Sequence, residues 1–190
     1  MGSALPGGAG GTVLSELIPP GPEFADLFQS FDHTSFRLEV RDRYDATGEE
    51  GPLRRFLETR VVDQEWRVDW LNMLREHRAA GKRWHRVRVV STPLSVYNDW
   101  GIRSAEASNE AGDDIRYLDR KDATGLPDYD YWLFDSRIVA KMHFTDDDKL
   151  IGAELIDDPA TVVEHNYWRD AALHQATTRD DFAAQLLDQL

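Results

Sequence analysis

The chain has no cysteine. That excludes a disulfide framework, thiolate metal sites and a cysteine nucleophile, and it suits a reducing cytoplasm. Long apolar runs are also lacking. A membrane-spanning helix takes roughly 20 such residues, and no stretch approaches that. The N-terminus has no basic segment followed by an apolar one, so no secretory signal is expected. Positive charge is scarce: 22 Lys and Arg stand against 35 Asp and Glu, a formal net charge of −13. Such a surface keeps a protein in solution and repels nucleic-acid phosphates and anionic lipid, so neither is an expected direct partner. Familiar catalytic signatures are missing as well. There is no Gly-x-Ser-x-Gly elbow, no Walker loop, no Gly-x-Gly-x-x-Gly fingerprint and no His-x-x-x-His spacing. An enzyme is therefore the less favoured reading, and no cofactor or metal is expected.

What is present is ample for one core. A chain of 190 residues, 41% hydrophobic, builds a single ordinary domain. Residues 1–22 are dominated by Gly and Pro around a short apolar patch, Val13 to Ile18, and read as a flexible arm. Residues 23–190 read as one globular α/β domain. The densest signal is Asp128 to Phe144, where two aromatic and β-branched runs flank Asp135 and Ser136, followed by a third run, Leu150 to Ile156. That pattern predicts an antiparallel meander of three strands.

Upstream, the pattern predicts a short helix over Glu23–Phe31, a strand over Ser35–Val40 and a helix over Glu49–Leu57. An amphipathic helix over Glu65–Ala80 presents Trp66, Trp70, Met73, Leu74 and His77 at helical spacing and stops at Gly81. His77 on that stripe reads as a hydrogen-bonded core histidine. Trp84–Ser91 reads as a strand, Ser95–Asn109 as a helix weakened by Gly101, and Asp114–Leu118 as a strand, together a β-α-β unit. Asp158-Pro159 is a good helix start, with Val163, Tyr167, Ala171 and His174 along one face. Thr178 and Asp181 form a capping box before a last helix. The expected fold is α+β with α/β character: one mixed sheet, a β-α-β unit followed by the meander, and helices packed on it.

Candidate site residues come from a basic cluster in this acidic chain. Trp84, Arg86 and Arg88 share one face of their strand, which suits an anionic ligand or an acidic partner segment. Arg116, on the following strand, is a candidate neighbour. The plainer reading is an ion-pair lattice with the chain's own acid surplus. Around Gly112, Asn109 and Asp113 read as turn residues that bind backbone amides. Asp128, Asp130 and His143 form the alternative, a hydrolase or phosphodiesterase site assisted by a hard cation, provided the three converge.

Five ordered segments, Phe31–Tyr44, Arg86–Tyr97, Asn109–Leu118, Tyr131–Phe144 and Trp168–Ala171, together resemble an uncharacterised actinobacterial family, a domain of unknown function often encoded beside Xre-type helix-turn-helix regulators. The resemblance spans roughly residues 30–175. It implies no catalytic residues and, at most, an accessory role with a protein partner such as that regulator. A weaker resemblance, to the phospholipase D-like superfamily, rests on Asp135 as the last residue of a His-x-Lys-x-x-x-x-Asp motif. Asp128 and Asp130 replace its His and Lys, which implies an inactive derivative. The expected function is thus a non-enzymatic accessory protein binding a protein partner or a small anion.

Overall fold

In the computed structural model, which describes residues 17–187, the chain opens with β1 (Leu17–Ile18) and α1 (Pro22–Ser30), then β2 (Thr34–Glu39), α2 (Glu50–Thr59) and a single 3-10 turn, Glu65–Arg67, that leads into α3 (Val68–Ala79). There follow β3 (Arg83–Val90), α4 (Val96–Ala111), β4 (Asp113–Asp119), β5 (Tyr131–Phe134), β6 (Ile138–Phe144), β7 (Leu150–Ile156), α5 (Pro159–Gln175), β8 (Thr177–Thr178) and α6 (Arg179–Leu187). All eight strands form one mixed sheet in the order β1-β7-β6-β5-β2-β3-β4-β8. The expected β3-α4-β4 unit is parallel, and β5-β6-β7 is the antiparallel meander. A second parallel pair, β2 with β3, is bridged by α2 and α3.

The central strands are buried on both faces. Phe36, Leu38, Val87, Val89, Leu133 and Val139 point to one face, where α5 lays Val162 and Ala172 against them. The opposite face carries Trp84, Trp132, Phe134 and Met142 under α1 and α3, and Ile115 and Tyr117 under α4 and α6. The caps read from the sequence are formed: Asp158 accepts the Thr161 amide at 3.0 Å, and Thr178 Oγ1 accepts the Asp181 amide at 3.2 Å. At the α4–β4 turn Gly112 takes φ 120°, and Asn109 Oδ1 accepts the Ile115 amide.

Three expectations need adjustment. Most of the expected arm, residues 1–16, lies outside the described residues, whereas Leu17 and Ile18 pair with β7 and Ile18 is buried. The α3 stripe shifts: Leu71, Leu74 and His77 are the buried positions, and Trp66 stays on the 3-10 turn, where it stacks on Trp100 of α4. On α5, Val163 and Tyr167 are exposed and the buried face is Val162, His165 and Ala172. His165 hides there because its ring nitrogens are partnered, Nδ1 by the Thr161 carbonyl at 2.7 Å and Nε2 by the Tyr129 hydroxyl at 3.2 Å.

Candidate functional site

Strand alternation turns Trp84, Arg86 and Arg88 of β3 to one face. Register does the rest: Arg37 lies beside Arg86, Glu39 beside Arg88, and Trp84 beside Asp113. This is the face under α3 and α4, so the basic cluster is interior. Glu39 is its hub, accepting hydrogen bonds from Arg86 Nη1 at 2.9 Å and from Arg88 Nε, and forming an ion pair with Arg37 at 2.9 Å. Asp113 takes Arg86 Nη2 at 3.0 Å, and Asp130 takes Arg37 Nη2 at 3.1 Å. Three arginines thus meet three carboxylates in a closed ion-pair lattice. Burial alone would raise the Glu39 pKa, but Arg88, Arg86 and Arg37 together hold it down to about 2. Asp113 and Asp130 move the other way, since burial outweighs their arginine contacts.

Arg88 fits because of a glycine. A Cβ on Gly101 of α4 would stand 2.7 Å from Arg88 Nη1. The glycine that weakens the helix pattern leaves room for a guanidinium.

Above the lattice, between the sheet, α4 and the 3-10 turn, is a cavity of about 300 Å³. Arg86, Arg88 and Trp132 form its floor; Tyr97, Trp100, Gly101 and Ser104 line it from α4; Trp66 and Arg67 come from the turn, and Glu49 precedes α2. Four buried polar atoms of these residues have no hydrogen-bond partner: Trp100 Nε1, Trp132 Nε1, Arg86 Nε and Ser104 Oγ. Buried donors of this kind cost stability unless something accepts from them. Arg67 donates to the Ser104 carbonyl and to Gln64 Oε1, but no carboxylate among the described residues forms an ion pair with it. Burial, and then repulsion from Arg88 and Arg86, lower its pKa to about 10. Opposite, Glu49 Oε2 accepts the Tyr97 hydroxyl at 2.8 Å, and burial raises its pKa.

A family model described as a domain of unknown function, DUF6879, matches residues 22–184. The chain belongs to the DUF6879 family. No curated protein matches it.

Two of the expected site residues stand in the cavity and two do not. Within the DUF6879 domain Arg86 and Arg88 line it. Trp84 is instead a core residue, 1% exposed, with Nε1 donating to His77 Nδ1 at 3.2 Å. Arg116 pairs in register with Val87 on the opposite face and bonds Asp114 at 3.0 Å, so it cannot reach Arg86 or Arg88. The acid trio does not converge either. Asp128 is exposed in a bend before β5 rather than on a strand. Asp130 is buried, accepting the Val40 amide and the Tyr44 hydroxyl besides Arg37. His143 points from the α5 face and meets Glu154 at 3.3 Å. Asp135 ties the loop before β2 to the β5–β6 turn, accepting the amides of Asp32, His33 and Thr34 at 2.7, 2.7 and 2.8 Å. Among the described residues no cluster of three or more His, Cys, Asp or Glu is placed to hold a metal.

Sequence reading passed over Arg67, Glu49, Trp66, Trp100 and Trp132 as site residues, and over Arg37 and Glu39 beneath them. One signal was available: β2 sets two charged residues, Arg37 and Glu39, between Phe36, Leu38 and Val40. Charges that alternate with core residues on a central strand must find partners inside.

Proposed function

We propose that the DUF6879 domain is a non-enzymatic binding protein for a small anion, received in the cavity over the arginine lattice. The observation that carries this is the cation in the wall: Arg67 has no ion pair among the described residues and lines one space with Arg86 and Arg88. Trp100, Trp132, Arg86 and Ser104 of the same lining each keep a buried polar atom without a partner, which favours an acceptor over a donor as the guest. Catalysis is the weaker reading, because among the described residues Ser104 Oγ has no hydrogen-bond partner to act as a base and Glu49 is the sole carboxylate lining the space. Burial of Trp84, Arg86 and Arg88 likewise favours a small ligand over a protein segment at these arginines. In a cytoplasmic accessory role beside an Xre-type helix-turn-helix regulator, which the family resemblance implies, occupancy of the cavity would be the state passed to that partner.

Native mass spectrometry of the protein after dialysis against a small-molecule cell extract tests the reading. An anionic compound should be retained by the wild type and lost from Arg67→Gln. An empty wild type, or equal retention by the variant, would overturn it.

A further inference from the structure

We infer that the ligand is an aromatic monocarboxylate, its ring among the cavity tryptophans and its carboxylate at Arg67. This rests on the reading of the cavity as an anion site and adds three restrictions: sign, number of charges and shape.

Sign comes from the donors. Tryptophans around a pocket, with a glutamate at hand, also suit a quaternary ammonium, held by cation–π attraction. Here Arg67, Arg86 and Arg88 line the same space, and an organic cation would meet all three. The indole N–H groups of Trp100 and Trp132 are buried without a partner, and donors of that kind also favour a negative guest over a positive one. A carboxylate has the required sign.

The number of charges comes from the lattice. Arg37, Arg86 and Arg88 are already matched by Glu39, Asp113 and Asp130. Among the described residues Arg67 is the lining cation without an ion pair, and Glu49 is the lining carboxylate. Four arginines thus stand against four carboxylates, so one further negative charge is matched when Glu49 is protonated and a second has no cation to meet, which disfavours phosphate monoesters and dicarboxylates.

Shape comes from size and walls. About 300 Å³ lies at the small end of ligand pockets. Trp66 and Trp100 stack with centroids 6.2 Å apart and planes at 26°, and the Trp132 ring lies in the floor. Flat aromatic walls favour a flat aromatic guest.

Glu49 sets the pH dependence. It faces Tyr97 of α4, Arg67 of the turn, and Arg88 and Glu39 of the sheet. An incoming carboxylate at Arg67 adds a like charge, so binding favours the protonated Glu49 and tightens as pH falls. Glu49→Gln keeps an acceptor for Tyr97 and removes that like charge.

Tryptophan fluorescence and calorimetry with indole-3-carboxylate, benzoate, benzamide, acetate and inorganic phosphate test the inference. The aromatic acids should bind the wild type roughly tenfold or more tighter than benzamide, acetate or phosphate, the scale of one charge-assisted contact. Arg67→Gln, checked for folding by circular dichroism, should lose a similar factor. Glu49→Gln should bind at least as tightly as wild type, with affinity flat between about pH 5 and 8, where the wild type weakens as pH rises. Acetate or phosphate binding as tightly as the aromatic acids would overturn the ring assignment while leaving the anion site standing. Benzamide matching benzoate would overturn the charge assignment. No binding of any anion, from this set or from the extract, would sink both.

Discussion

Arg67 is a cation held in the fold with no close ion pair among the described residues, and such a group is kept at a cost. Its folded-state pKa, about 10 against an ordinary 12.5, says that burial and the neighbouring arginines disfavour the charged form. At neutral pH the side chain is still charged, so the folded state carries that penalty and the unfolded chain does not. Replacing a poorly compensated buried charge by an apolar side chain of similar length is often neutral or stabilising. Arg67→Met should therefore raise the stability of the empty protein by up to about 1 kcal/mol, seen as a higher urea midpoint, while anion binding is lost. A lower midpoint would mean that the bonds to Ser104 and Gln64 outweigh the desolvation, and that Arg67 is there for structure.

At the scale of elements, the edge of the sheet depends on one missing side chain. A Cβ on Gly152 of β7 would stand 2.5 Å from the Ile18 carbonyl oxygen and 3.0 Å from Leu17 Cγ. Backbone cannot yield as a flexible side chain does, so Gly152→Val should separate β1 from β7. The cost should be about 2 kcal/mol, the burial of Ile18 together with two residues of pairing. Limited proteolysis checks it, with a new cut expected just before α1. An unchanged digestion pattern would show that β1 is held by other contacts. The exposed pair Val163 and Tyr167 on α5 teaches a complementary lesson. Two apolar residues at helical spacing pointed to a core face, yet His165 occupies that core. A histidine whose two nitrogens are bonded can be buried, and hydrophobicity alone does not register that.

Across the whole molecule, acid stability follows from how the lattice splits the carboxylates. Glu39 titrates at about 2 folded against an ordinary 4.5, and Asp114, bonded by His85 and Arg116, at about 2 against 3.8. Both folded values are depressed. Their contribution is complete above about pH 4.5 and disappears as pH falls towards 2. Asp113, Asp130 and Glu49 are displaced upward by burial; they take up protons earlier in the folded state and oppose the loss. Glu39 serves three arginines, so the lattice should lose on balance, and the urea midpoint should fall steadily from pH 5 to pH 3. A midpoint that holds or rises over that range would place the upward-shifted acids in control.

The strands, the meander, the β-α-β unit and the caps of α5 and α6 were legible in the chain because each depends on neighbours a few residues away. Period-2 alternation put Arg86 and Arg88 on one face, and the acid surplus already suggested carboxylates beside them. Which carboxylates, and whether that face met solvent or helices, depended on the parallel register of β2, β3 and β4. That register brings Glu39 and Asp113, 74 positions apart in the sequence rows, to either side of β3. The cavity lay further out of reach. Arg67 and Trp66 belong to one turn, Trp100 and Ser104 to α4, Trp132 to β5, and they share a space only because α3 and α4 pack across the same face of the sheet. Local patterning determined the elements; the buried faces of α3 and α5, and the meeting of Arg67 and Glu49 around one cavity over an arginine lattice, were decided by long-range packing, where charges distant in sequence become neighbours and must be matched.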